Sequence, residues 1–338
     1  MTKYSLSQPQ NLAGLFALAM RWVIGWTYFS AFWRRLILEN KLIPDEAGYI
    51  GEKFNHFLPN ALGIKPIIEY LVTHPEMLLW AMIIFTIVEA IVGLFIILGL
   101  YTRLMSLGVI GLAMGILLGS GWIGTTCLDE WQIGVLGVAG GFTIFLTGSG
   151  TYSLDNFFMK RGYGFAQKKS FAWLASGDFP LKNPNRFVLI GATIILALTL
   201  YTNQYFHGGL FGKLHNKSVR PKLEISNIQL QEKQLQFQVY RVEGADVYGS
   251  FLIGIEFANA MGEVIKKFDF TKNAELPLPI IKNHYVAKVK SSKYSMIIPL
   301  GAKADLIFDL QNIPQEKGKI ASIKLIDISG LEWTAEVQ

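Results

Sequence analysis

Cysteine is almost missing: Cys127 is alone in 338 residues. One thiol excludes an intramolecular disulfide framework and any multi-cysteine metal or iron–sulfur centre built from this chain. Charge is also scarce. Asp, Glu, Lys and Arg make up 17% of the chain, where soluble domains carry about 25%. With 51% hydrophobic residues, that excludes an ordinary cytosolic globule, a disordered chain and a nucleic-acid binder. The five histidines, His56, His74, His207, His215 and His284, show no i, i+4 pair and no haem or zinc spacing. No glycine-rich phosphate loop follows a strand, and no Gly-x-Ser-x-Gly elbow occurs. No flavin, haem or metal motif is therefore seen.

The charge that is present is uneven. Residues 1–206 hold 14 basic and 11 acidic residues; residues 207–338 hold 17 and 14. The first part suits lipid and the second suits water. Each part carries a net +3, so no basic face marks a nucleic-acid site. Five apolar stretches are long enough to span a bilayer, near 12–33, 76–100, 104–123, 131–149 and 186–206. Glycines 108, 111, 115 and 119, then 134, 137, 140 and 141, suit close helix contact in lipid, where small residues let backbones approach. The basic segment 150–185 (Lys160, Arg161, Lys168, Lys169, Lys182) is expected inside, which places the connection 34–75 and the turn around 120–130 outside. Five spans then export residues 207–338. Short runs rich in Ile, Val, Phe and Tyr, at 223–228, 235–240, 249–257, 264–270, 285–289, 295–300, 304–310 and 320–328, predict a β-sandwich. The expected fold is thus an α-helical membrane bundle, four core helices and a fifth transmembrane helix, followed by an all-β sandwich-like exported domain. The expected boundaries are 1–150, a basic connection 151–185, the fifth helix 186–206 and the β domain 207–338. The expected location is the cell membrane, with the β domain on the outer side.

The densest polar constellation is 119–131, between two glycine-rich helices. Polar groups at a membrane boundary need partners or water and so tend to mark a cavity. Cys127 is either a small buried filler or a reactive thiol. Asp129 and Glu130 either cap the next helix or accept a proton. Arg34 and Arg35, at the outer end of the first helix, either snorkel to headgroups or bind an oxyanion through the planar guanidinium. Arg21 and Glu89 both lie deep in their spans and are expected to pair; the pair serves as a register lock, a proton path or a polar anchor for a ligand head group. Trp33 and Trp122 either belong to the interfacial belt or form flat walls for a ring-shaped lipid-soluble ligand.

On these residues the chain resembles a known family. Arginine in the first helix and the stretch 89–103, Glu-Ala-Ile-Val-Gly-Leu-Phe-Ile-Ile-Leu-Gly-Leu-Tyr-Thr-Arg, resemble the broad DoxX/DoxD group. The stretch 121–132, Gly-Trp-Ile-Gly-Thr-Thr-Cys-Leu-Asp-Glu-Trp-Gln, resembles DoxD more specifically. The fifth helix and exported β domain resemble DoxA. The whole resembles a DoxD–DoxA fusion of the thiosulfate:quinone oxidoreductase family. That resemblance implies oxidation of two thiosulfates to tetrathionate and reduction of a membrane quinone. For that reaction the residues themselves suggest Cys127 as a covalent relay, or as a bystander while thiosulfate passes electrons directly to quinone; Asp129 or Glu130 exchanging a proton during quinone reduction; Arg34, Arg35 or both on thiosulfate; and Trp33, Trp122 and the Arg21–Glu89 pair around the quinone. The expected partners are thiosulfate, quinone and the lipid bilayer, with self-association left open. Two other readings stand beside it: a non-catalytic membrane scaffold whose β domain binds a partner, and a quinone-linked oxidoreductase for another small sulfur anion.

Overall fold

A computed structural model gives the architecture and describes residues 8–44, 46, 48–124, 129–177, 182–231, 234–247, 249–271, 279–310 and 319–337. The first apolar stretch is broken. Helix α1 (Gln8–Phe16) and α2 (Leu18–Phe32) meet at Ala17 with a bend of 56°, and α2 runs on into a π-helical segment, Trp33–Leu38. Then come α3 (Glu52–Phe57), a 3-10 turn (Leu58–Asn60) and α4 (Lys65–Thr73). They are followed by α5 (Pro75–Leu98), α6 (Thr102–Ser120), α7 (Asp129–Thr147), α8 (Leu154–Arg161), α9 (Lys169–Leu174) and α10 (Pro184–His207). Among the described residues, α5, α6 and α10 are long and apolar enough to cross a membrane, and the bent α1–α2 pair makes a fourth candidate. Helix α7 equals α6 in length, but its polar opening, Asp-Glu-Trp-Gln, keeps it out of that set.

The chain divides into two compact units. The first comprises Met1–Ile50, Leu79–Gly121 and Leu128–His215. Its helices pack through glycine, because in lipid close van der Waals contact takes the place of the hydrophobic effect. On α7, a Cβ at Gly134 would lie 2.8 Å from the Leu117 side chain and one at Gly137 2.7 Å from Ala113, so these positions seat α7 against α6. Gly111 and Gly115 have nothing within 4 Å, so the expected glycine seam does not include them. Helix α10 is tied to α7 by the Trp131 indole N–H, which donates to Thr202 Oγ1 at 3.0 Å.

The second unit comprises Gly51–Leu78, Trp122–Cys127 and Asn216–Gln338. Its β part has ten strands among the described residues: β1 (Lys222–Leu230), β2 (Gln234–Glu243), β3 (Ser250–Ala258), β4 (Val264–Asp269), β5 (Ile280–Asn283), β6 (Lys290–Ser291), β7 (Met296–Ile298), β8 (Lys303–Asp309), β9 (Ser322–Asp327) and β10 (Glu332–Glu336). One antiparallel sheet runs β1-β2-β8-β5; the other runs β10-β9-β3-β7-β6, with β4 also on β3. Alternation along β8 and β9 sends every second side chain inward. Phe237, Phe257, Phe268 and Phe308 meet there, with Phe237 and Phe308 stacked at 5.6 Å.

Two expectations fail in this unit. Residues 285–289 were expected as a strand, yet no strand covers them. Tyr285, Ala287 and Val289 are buried, but the Ala287 N–H donates to Asn55 Oδ1 rather than to a neighbouring strand. Residues 51–75 of the expected outer connection, with residues 76–78 from the start of the expected second span, belong to this unit. Leu58, Ala61, Ile68 and Val72 share a buried cluster with Tyr285. Asn55 Nδ2 donates to Gly301 O at 3.1 Å, Asn60 Nδ2 to Val242 O at 2.9 Å, and Lys53 pairs with Asp246 at 2.6 Å.

Candidate functional site

The register of α2 against α5 creates the main polar site of the first unit. A Cβ at Gly93 would lie 2.4 Å from the Phe29 backbone nitrogen, and one at Gly25 2.7 Å from Ile97. The absent side chains let the two backbones touch, and the antiparallel register then runs position 35 opposite positions 86–89. Arg35 Nη1 donates to Glu89 Oε2 at 2.6 Å and to Thr86 Oγ1 at 3.0 Å. Its guanidinium also lies 5.8 Å from the Phe85 ring centroid. Only 14% of the Arg35 side chain and 6% of that of Glu89 remain exposed. Arg35 reaches this position from the π-helical segment, a form that occurs mostly as a single turn and often at functional sites.

The expected Arg21–Glu89 pair therefore does not form. Arg21 is buried and donates to two backbone carbonyls, Ser149 O at 2.5 Å and Tyr152 O at 2.6 Å. These carbonyls follow the C-terminal end of α7, where peptide oxygens lack helical partners. The neighbouring Asp155 accepts from the Tyr101 and Thr102 amides, Thr102 Oγ1 and Ser176 Oγ. Burial raises the Asp155 pKa, against the opposing pull of those four hydrogen bonds. Arg21 and Asp155 thus brace chain turns.

Arg34 is exposed, and among the described residues it has no hydrogen-bond or ion-pair partner. Trp33 is exposed, its ring 6.1 Å from Phe29, which in turn neighbours Trp26 and Phe32. Trp122 belongs to the second unit and is 1% exposed, with its indole N–H donated to Phe57 O at 3.2 Å. It offers no open face to a ring-shaped ligand. Glu130, half-buried in the first turn of α7, makes a polar contact. Cys127 and the Asp129 side chain lie outside the described residues. Gly124 N donates to Ser218 Oγ at 2.9 Å, and Gly124 O accepts from Ser218 Oγ at 2.5 Å and from Asn216 Nδ2 at 2.7 Å.

Sequence reasoning missed Thr86 and the Ser218 grip on Gly124. Thr86 carries a usable signal, since it precedes Glu89 by three residues and so shares its helix face. The Ser218 contact, 94 residues from Gly124, leaves no local trace.

Comparison with known families fits this layout. Residues 16–182 match the family model described as TQO small subunit DoxD, and residues 206–336 match that described as TQO small subunit DoxA. The chain is a DoxD–DoxA fusion. The DoxD match contains the Arg35–Glu89 pair and the α3–α4 segment, and the DoxA match contains every strand among the described residues. Both families are named as subunits of a thiosulfate:quinone oxidoreductase, which supports an oxidoreductase-like role in a membrane setting. Among solved structures, one titled "Structure of Iho670 Flagellar-like Filament" aligns at 12% identity over 45% of this chain and 96% of its own, with a TM-score of 0.22. That score is too low to indicate a shared overall fold.

Proposed function

We propose that the fusion is a membrane thiosulfate:quinone oxidoreductase that oxidises two thiosulfates to tetrathionate and passes two electrons to a membrane quinone. The observation that carries this reading is the occurrence of both TQO families, in order, on one chain. The chemistry of the two substrates agrees with the helical unit. Thiosulfate is a dianion and needs fixed positive charge at a water-accessible rim; quinone is apolar and arrives through lipid. Arg34, exposed and without a partner among the described residues, is the group available to the dianion. Arg35 is already held by Glu89 and Thr86, so the two arginines divide the work: Arg34 for the sulfur anion, and Arg35 at the quinone head group. Trp33, with the Trp26–Phe29–Phe32 run, supplies an aromatic wall on α2.

Cys127 would act as a covalent relay. Its thiolate and one thiosulfate join through a new S–S bond, releasing two electrons to quinone. A second thiosulfate displaces the thiolate and leaves as tetrathionate. Fixed positive charge lowers the repulsion between the dianions, a large part of the barrier. Asp129 and Glu130, at the start of α7, stand beside Cys127 in sequence to take up or release its thiol proton. The basic segment 150–185 favours an orientation that puts the β domain on the outer side.

Purified full-length protein, thiosulfate and a soluble quinone analogue test the reading. Quinol formation dependent on thiosulfate supports it; its absence with intact, monodisperse protein overturns it in favour of a non-catalytic scaffold. Faster turnover with a different small sulfur anion would reassign the donor. Cys127→Ser is expected to abolish turnover, and full activity in that variant removes the relay.

A further inference from the structure

Quinol formation consumes two protons and two electrons. Joining two thiosulfates into tetrathionate supplies the two electrons but releases no proton. Every turnover must therefore draw two protons from water through the protein to a head group that sits in lipid. Among the described residues, Glu89 is the one carboxylate inside a membrane-crossing helix and away from its ends, 14 positions from Pro75 and 9 from Leu98. Nine residues correspond to about 13 Å of helix. A carboxylate at such depth is costly and tends to serve function.

Resting on the oxidoreductase reading, we propose that Glu89 is the proton donor to the quinone head group, with Arg35 as its electrostatic partner and Thr86 as a positioning residue for Arg35. The geometry gives each a task. Arg35 Nη1 bridges Thr86 Oγ1 and Glu89 Oε2 at 3.0 and 2.6 Å, so Thr86 holds the guanidinium on the Glu89 side. Thr86 itself is fully buried. Tyr28 is buried in the same cluster as Val92 and Phe85, which lie one turn either side of Glu89 on α5, so this helix interface carries a phenol as well. The π-helical segment interrupts regular α-helix where Arg35 must turn inward. When the Glu89 proton moves to the quinone oxygen, its O–H bond breaks and a new O–H bond forms on the acceptor. The carboxylate left behind is stabilised by Arg35 until water returns a proton. Two such cycles supply both protons, and the electrons come from thiosulfate.

A register-fixing ion pair would share this geometry but not its chemistry. The test compares wild type with Glu89→Gln and Glu89→Asp. Gln keeps the length and still accepts from Arg35 but carries no transferable proton; Asp keeps the carboxyl but is shorter. A proton donor predicts that Asp outperforms Gln, with Gln slowed by about 100-fold or more and Asp within about tenfold. The residual turnover of Gln should lose its dependence on pH. Melting temperature and binding of a non-reducible quinone analogue should stay close to wild type in Gln, readouts independent of turnover. In infrared difference spectra, analogue binding should perturb a carboxylic C=O band that is missing in Gln. A structural lock predicts the reverse order, because Gln preserves the contact better than Asp. Gln matching or exceeding Asp, or Gln losing melting temperature and analogue binding in step with turnover, overturns the donor role. Wild type unable to reduce quinone with thiosulfate overturns the oxidoreductase reading itself, a distinct result scored before any variant.

Discussion

Asn55 shows how much one side chain can hold together. It is fully buried, donates to Gly301 O and accepts from Ala287 N–H, both at 3.1 Å. A Cβ at Gly301 would collide with the Asn55 carbonyl group, and the backbone there has φ of +71°, so the approach demands glycine. Asn55→Ala leaves two buried backbone groups without partners and is expected to cost about 2–4 kcal/mol, read as a lowered melting temperature in purified protein. The next residue adds a pH dependence. Burial, and then the nearby Lys53 charge, push the His56 pKa down to about 4, and its Nδ1 has no hydrogen-bond partner. The unfolded chain, with an ordinary pKa near 6.5, binds the proton more readily than the folded one. Stability is therefore undiminished above about pH 6.5 and falls as the pH drops toward 4, by up to about 3 kcal/mol. His56→Gln should flatten the fall in melting temperature between pH 7 and pH 4.5. An unchanged slope would show that other groups carry it.

Between elements, the α2–α5 contact decides which charges meet. The sequence shows Arg21 and Glu89 within apolar stretches and Arg35 just past the end of one, but depth along two helices does not give their register. Register comes from Gly25 and Gly93, which allow backbone contact at one alignment, and that alignment selects Arg35. Gly93→Ala should force the helices apart, since its Cβ would meet the Phe29 backbone, which cannot rotate away. Lower melting temperature and weakened quinone-analogue binding are expected. Gly111→Ala, with nothing within 4 Å, should instead be neutral or stabilising by up to about 1 kcal/mol. Equal damage from both would contradict the register argument. The strands were legible for a related reason: short runs rich in Ile, Val, Phe and Tyr are a local signal, and they match β1 through β4 and β7 through β9 to within a few residues. The apolar run at 285–289 misled because apolarity reports burial, not strand pairing; its buried amide finds Asn55 instead.

For the molecule as a whole, a membrane bundle followed by a β domain could be read from charge density alone, since lipid and water select different compositions. The assignment of residues 51–78 could not. Their apolar residues are numerous, but apolarity alone does not name a partner more than 200 residues away, and Leu58, Ile68 and Val72 share a cluster with Tyr285. A chain ending after His207 should therefore expose this segment. Limited proteolysis is expected to cut within 51–78 in the truncated protein and to spare it in the full chain. Resistance in both would mean that the segment folds without the strands.

The grip of Asn216 and Ser218 on Gly124 sets an order of events. While the ribosome is still making the last span, Gly124 has neither of these partners. They arrive only when residues 216–218 emerge, so this stretch of chain is closed late in biosynthesis by a segment made long after it.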